Sequence, residues 1–153
     1  MADEAQAQQP QFALQRLYLK DVSFEAPSSP VIFTKDWEPK VKMDLNAGAN
    51  LLAEGLYEVV VSVTVTVTTA EETAFLVEVE QAGLFVARGI EGDALDHTLN
   101  AFCPNVLFPY AREAVDSLVV KGGFPPLMLA PVNFDALYAE QKARAQQEGT
   151  PAN

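Results

Sequence analysis

Cysteine is almost absent from this chain. The lone thiol, Cys103, excludes an intramolecular disulfide and any cysteine-based zinc site within one chain. Histidine is equally scarce, and His97 by itself excludes a His-rich metal centre. Positive charge is short as well: 10 Lys and Arg stand against 21 Asp and Glu, for a formal net charge of −11. Phosphate backbones and anionic membrane surfaces both need clustered Lys and Arg, so neither is an expected partner. From Lys42 to Arg88 no basic residue intervenes, while Asp44, Glu54, Glu58, Glu71, Glu72, Glu78 and Glu80 fall in between, a stretch expected to attract basic partners. Apolar runs long enough to span a bilayer are missing, as are a Gly-rich phosphate loop and a nucleophile elbow around Ser28 and Ser29. The start of the chain, with Asp3 and Glu4 among Ala and Gln, lacks the basic and apolar regions of a signal peptide, and a reducing cytosol is the expected location.

What is present suits one globular domain. A chain of 153 residues with 49% apolar composition encloses a core without staples. Residues 1–11, rich in Ala and Gln, and residues 142–153 have little to bury and are expected to be loose, leaving a domain over 12–141.

Four strands are expected. From Phe12 to Phe24 the apolar positions Phe12, Leu14, Leu17, Leu19, Val22 and Phe24 change phase, the mark of a bulged strand or of one packed on both faces. Pro27, Pro30 and Pro39 make Glu25 to Pro39 a long loop, yet it carries Val31, Ile32, Phe33 and Trp37, which either tuck into the core or serve a function. Lys40 to Leu45 alternates, with Val41, Met43 and Leu45 on one face, before a turn expected over Asn46 to Asn50. Tyr57 to Thr69 sets Val59, Val61, Val63, Val65 and Val67 on one face and Ser62, Thr64, Thr66 and Thr68 on the other. A polar turn at Ala70 to Glu72 leads into an antiparallel fourth strand, with Phe75, Val77 and Val79 inward and Leu76, Glu78 and Glu80 outward.

After Gly89 and Gly92 the spacing becomes helical, interrupted at Pro104 and Pro109 and ended by Gly122 and Gly123, which predicts a kinked helix. Leu107, Tyr110, Ala111, Ala114, Val115, Leu118 and Val119 leave it only a narrow polar stripe at Arg112, Glu113, Asp116 and Ser117. One sheet face covers one helix face, so the surplus predicts self-association. A last helix, capped by Asn133, offers Phe134, Leu137 and Tyr138.

Candidates for chemistry are few. Asp93, Asp96 and His97 form the best metal or acid-base grouping, but acids in an exposed first helical turn are explained by the helix dipole. A Cys103–His97 dyad lacks an orienting third group, so Cys103 is expected to be a buried structural thiol. Glu71 and Glu72 fit a solvated turn, and a binding protein is expected rather than an enzyme.

Longer words in the sequence carry more. Lys20-Asp21-Val22-Ser23-Phe24-Glu25-Ala26-Pro27, Lys35-Asp36-Trp37, Tyr57-Glu58-Val59-Val60 and Glu71-Glu72-Thr73-Ala74-Phe75-Leu76 occur in order. Gly89-Ile90-Glu91-Gly92, Cys103-Pro104-Asn105, Leu107-Phe108-Pro109-Tyr110-Ala111-Arg112-Glu113 and Ala130-Pro131-Val132-Asn133-Phe134-Asp135-Ala136-Leu137 follow. Over about residues 12–138 the chain resembles the SecB family of protein-export chaperones.

The resemblance implies an α+β fold: a four-stranded antiparallel sheet with a long crossover loop, packed on one face by a long helix plus a short C-terminal helix, in a homotetramer built as a dimer of dimers. It implies an ATP-independent holdase, needing no cofactor, that keeps secretory precursors unfolded in the bacterial cytosol and passes them to the SecA ATPase. A SecB-like holdase for another client, such as a toxin-antitoxin pair, is the alternative. By motif the resemblance assigns SecA binding to Asp21, Glu25, Leu76 and Glu78, and client binding to Phe24, Trp37, Val41, Met43, Leu45, Leu127, Phe134 and Leu137. It also leads one to expect an acidic tail, but here Lys142 and Arg144 balance Glu140 and Glu148.

Overall fold

In a computed structural model, which describes residues 9–149, the chain forms one sheet with helices on one side. The strands are β1 (Gln11–Glu25), β2 (Lys40–Ala53), β3 (Leu56–Thr69) and β4 (Glu72–Arg88), all antiparallel in the order β1-β4-β3-β2. The helices are α1 (Gly92–His97), a π turn over Thr98–Phe102, α2 (Cys103–Lys121) and α3 (Phe134–Gly149). Residues 1–8 and 150–153, parts of the ends expected to be loose, lie outside the described residues.

The valine alternation of β3 decides which face is which. Val59, Val61, Val63, Val65 and Val67 are fully buried, and on β4 so are Phe75, Val77, Val79 and Phe85. Against them α2 sets Leu107, Ala111, Val115 and Val119, spaced four apart along one stripe and equally buried. Burying a side chain of this size contributes roughly 1.5–3 kcal/mol, so this layer holds the domain together. Gly83 lets the helix come close: a Cβ there would sit 3.0 Å from Leu107 and 2.9 Å from Phe85.

β1 resolves its own phase change with bulges. The register slips between Leu14 and Arg16 and again between Leu19 and Asp21. Each slip absorbs one residue, so Phe12, Leu14, Leu17, Leu19, Val22 and Phe24 pair in turn with Ala87, Phe85, Gly83, Gln81, Val79 and Val77, all on the helix side. The buried amide of Gln81 donates to the Tyr18 carbonyl at 3.0 Å, beside the second bulge.

Two expectations need correction. The turn expected at Asn46 to Asn50 is strand: β2 continues to Ala53, Gly48 pairs with Val60, and the hairpin closes at Glu54–Gly55, where Gly55 has φ +72. The long β3 supplies main-chain partners along its whole length, and that pairing overrides the weak strand preference of Asn and Gly on an edge strand. The last helix also runs past Gln141 to Gly149; Ala, Gln, Glu, Lys and Arg are good helix formers, and Arg144 pairs with Glu140 one turn back at 3.7 Å.

The kink expected of the long helix is a π turn. Cys103 N–H reaches back five residues to the Thr98 carbonyl, and Pro104, next in line, has no N–H to misplace. Pro109 lies inside α2 and Asn133 caps α3, its Oδ1 accepting from Ala136 N–H at 3.0 Å. Among the described residues no helix is long and apolar enough to cross a membrane.

Leu107→Ala is expected to destabilise the fold by about 2–5 kcal/mol through the cavity it leaves. Leu51→Ala, at a side chain 66% exposed, changes stability by no more than about 0.5 kcal/mol. Urea unfolding at one fixed protein concentration measures both.

Candidate functional site: an acidic sheet face and an apolar groove

The sheet face away from the helices gathers carboxylates. Register places Glu25 beside Leu76, Ser23 beside Glu78 and Asp21 beside Glu80, and across β3 Thr64 joins Glu78 to Asp44. The four residues assigned to SecA binding by resemblance, Asp21, Glu25, Leu76 and Glu78, thus share one patch. Glu78 is exposed and Leu76 half-buried, an apolar spot inside an acidic rim floored by Thr64 and Thr66. Glu80 and Asp44 belong to the same face. Glu80 has the parity of Glu78 along β4, whereas Asp44 joins only through the β2 register.

Further along this face Glu58 accepts two hydrogen bonds from β1, one from Tyr18 Oη–H and one from Lys20 Nζ at 2.8 Å. The Lys20 bond, then the Tyr18 bond, hold the Glu58 carboxyl below its ordinary range against the opposing effect of burial. Burial, reinforced by the carboxylate, pushes the Tyr18 phenol up to about 12. Lys20 is the residue absorbed by the second bulge, so the bulge that realigns the inner face also aims this ammonium.

On the helix side, the sequence before β2 builds an aromatic cluster. Phe24 stacks on Phe75 with centroids 5.8 Å apart, Phe75 meets Phe124 at 4.9 Å, and Phe124 meets Phe33 at 5.1 Å and Trp37 at 5.7 Å. The loop aromatics do both things the sequence left open: Ile32 is buried, while Phe33 and Trp37 rest one side on Phe124 and leave the other exposed. Where α2 ends, Gly122 admits the Phe24 ring; a Cβ there would lie 2.3 Å from Cζ.

Beside this cluster α2 packs chiefly on β3 and β4, so the inner face of β2 is only partly covered. Val41, Met43 and Leu45 point to that side through their pairing with Val67, Val65 and Val63. Val41 is 51% exposed and Met43 39%, whereas Leu45 and Leu127 are half-buried against the core. Phe134 is buried edge-on to Phe108 and roots α3, and Leu137 stays accessible at its edge. Leu45, Phe134, Leu137 and Tyr138 line one cleft. With Trp37 these residues give the helix side of the sheet a group of apolar side chains. Val31 and Phe33, exposed in the crossover loop, extend it; both were legible as apolar residues in a proline-rich segment.

The polar grouping on α1 works as a clasp for α3. His97 Nε2 meets Asp135 Oδ1 at 2.6 Å, Tyr138 Oη–H donates to Asp96 Oδ2 at 2.5 Å, and Lys142 lies 3.4 Å from Asp93. No three potential metal-ligating side chains come together among the described residues. Cys103 is fully buried, and burial pushes its thiol up to about 12, far from a reactive thiolate.

Comparison with known proteins adds a family. The family described as Preprotein translocase subunit SecB matches residues 5–145. The Protein-export protein SecB of Pseudomonas fluorescens (strain SBW25) is 57% identical over 148 residues, covering 97% of this chain and 93% of that protein. Its counterpart in Stutzerimonas stutzeri (strain A1501) is 60% identical over 139 residues, covering 91% and 85%. Among solved structures, the Mycobacterium tuberculosis Rv1957 SecB-like chaperone in complex with a ChAD peptide from the Rv1956 HigA1 antitoxin shares the fold. Its TM-score is 0.63 at 18% identity, covering 86% of this chain and 95% of that one.

Because the folded-state pKa of Glu58 is lowered, the stability it contributes is present above the ordinary carboxylate range and is lost as pH falls through the lowered value. Carbon-detected titration of the Glu58 carboxyl is expected to give a midpoint below that range in the native protein. In Lys20→Ala the midpoint moves back up, and an unmoved midpoint contradicts the assignment.

Proposed function

The chain belongs to the SecB family of protein-export chaperones, and on that premise we propose that its two sheet faces divide the work. The apolar side chains on the helix side form a channel that holds unfolded secretory precursors in the bacterial cytosol without nucleotide, and the acidic face docks the SecA ATPase. The observation that carries this reading is the convergence of Asp21, Glu25, Leu76 and Glu78 on one patch, with the whole thickness of the sheet between them and the channel. A chaperone that must hold a client while meeting its receptor needs two surfaces that do not compete.

Client residues in this reading are Phe24, Trp37, Val41, Met43, Leu45, Leu127, Phe134 and Leu137. Those exposed, such as Trp37, Val41 and Met43, touch the client, and those buried, such as Phe134, form its floor. A channel of aromatics and a methionine suits clients of varied sequence, since such side chains offer area without demanding one shape. An acidic docking face speeds encounter with a basic partner.

Self-association into a tetramer belongs to the same proposal. On the helix side β1 leaves Phe12, Leu14, Leu17, Leu19 and Val22 each 37–52% exposed, and α2 and the preceding π turn add Tyr110, Val120 and Phe102. So long an apolar stripe is unusual on a monomer, and it supports burial against further copies of the chain.

Glu78→Lys is expected to weaken SecA association by roughly tenfold, more at low salt, because it inverts charge at the centre of the patch. The same variant keeps its affinity for an unfolded precursor and its indifference to that precursor once folded. Unchanged SecA affinity argues against the docking assignment, and equal binding of folded and unfolded forms argues against a holdase. Sedimentation at micromolar concentration is expected to give a tetramer; a monomer there contradicts the assembly.

A further inference from the structure

Between Gly123 and α3 the chain runs from Phe124 to Asn133 with neither helix nor strand. Pro125, Pro126 and Pro131 carry no N–H, so little main-chain bonding can hold this segment in place. Two side chains of α2 do so. Asp116 Oδ1 accepts from Leu127 N–H at 3.1 Å and from Met128 N–H at 3.3 Å. Arg112, one helical turn earlier, donates from Nη1 to the Leu129 carbonyl at 3.5 Å. Three consecutive residues are therefore gripped by an i, i+4 pair on one helix face.

The consequence is a defined turn. Met128 takes φ +51, a left-handed conformation rare for a side chain of its kind. Leu127 and Leu129, on either side, pack half-buried against the core, and Met128 projects outward, 77% exposed. Because the acceptor is a carboxylate, both bonds from the main-chain N–H groups are charge-assisted and stronger than neutral ones.

We propose that Asp116, braced by Arg112, is a positioning residue for client binding: it pins the turn at Leu127–Leu129 and thereby fixes the wall of the apolar channel that Leu127 completes. The inference deepens the client-channel reading and rests on it. Without the anchor the segment keeps its composition but loses its fixed position, so the channel wall becomes mobile and clients leave faster.

The test uses the full-length protein with an unfolded precursor as probe, and compares Asp116→Ala and Asp116→Asn with the native chain. In Asp116→Ala, hydrogen exchange at the Leu127 and Met128 amides is expected to speed up by about tenfold or more. Precursor dissociation is expected to quicken by a similar factor, and SecA association to stay unchanged. Asparagine retains an acceptor oxygen and gives an intermediate effect on both readouts, which keeps the inference testable if the alanine variant folds poorly. Unchanged exchange at the two amides shows the anchor to be idle and overturns it. Faster exchange with unchanged precursor dissociation overturns it too, since the segment is then no part of the wall. Met43→Ser is run alongside: if it also leaves precursor binding untouched, the channel reading itself fails, a result distinct from failure at Asp116 alone.

Discussion

The valine rows of β3, buried under α2, commit one face of the sheet and leave the other free. Because side chains alternate strictly along a strand, that single packing contact settles the facing of every neighbour that pairs with β3. Val59 to Val67 point to the helix, so Thr64 and Thr66 point away, and through the register Glu78, Leu76 and Asp44 follow them. The acidic face is thus a consequence of the core, and both proposed binding surfaces inherit their position from it.

The bulges of β1 extend the same constraint to the far edge. A regular strand would carry Leu17 and Leu19 to the wet side once Phe12 and Leu14 faced the helix. The first absorbed residue prevents it, and the second restores the original phase, so that Asp21 and Glu25 face the acidic side beside Glu80 and Leu76. The pair of bulges therefore serves the core, the exposed stripe that supports self-association, and the docking patch together. Lys20, the residue displaced by the second bulge, is freed to reach Glu58.

Much of this was legible beforehand because the signals are periodic. The facing of β3 and β4, the helix stop at Gly122, the Asn133 cap and the burial of Cys103 all follow from short-range patterns. The turn misplaced at Asn46 to Asn50 shows where such reading ends: Asn and Gly look like a turn locally, but pairing with Val60 and its neighbours keeps them extended. Asp116 gave no signal beyond a polar position on an apolar helix, since its partners, Leu127 and Met128, are brought to it only when the chain doubles back.

By itself the sequence determined the acidic balance of this protein, the two-faced sheet and the family to which it belongs, because charge, alternation and the order of its longer motifs are written along the chain. The tertiary structure alone decided which carboxylates stand together, how the crossover aromatics divide between core and surface, and what holds the segment before the last helix. Those depend on register and on contacts between residues far apart in sequence, where one absorbed residue reverses a face and no local pattern records it.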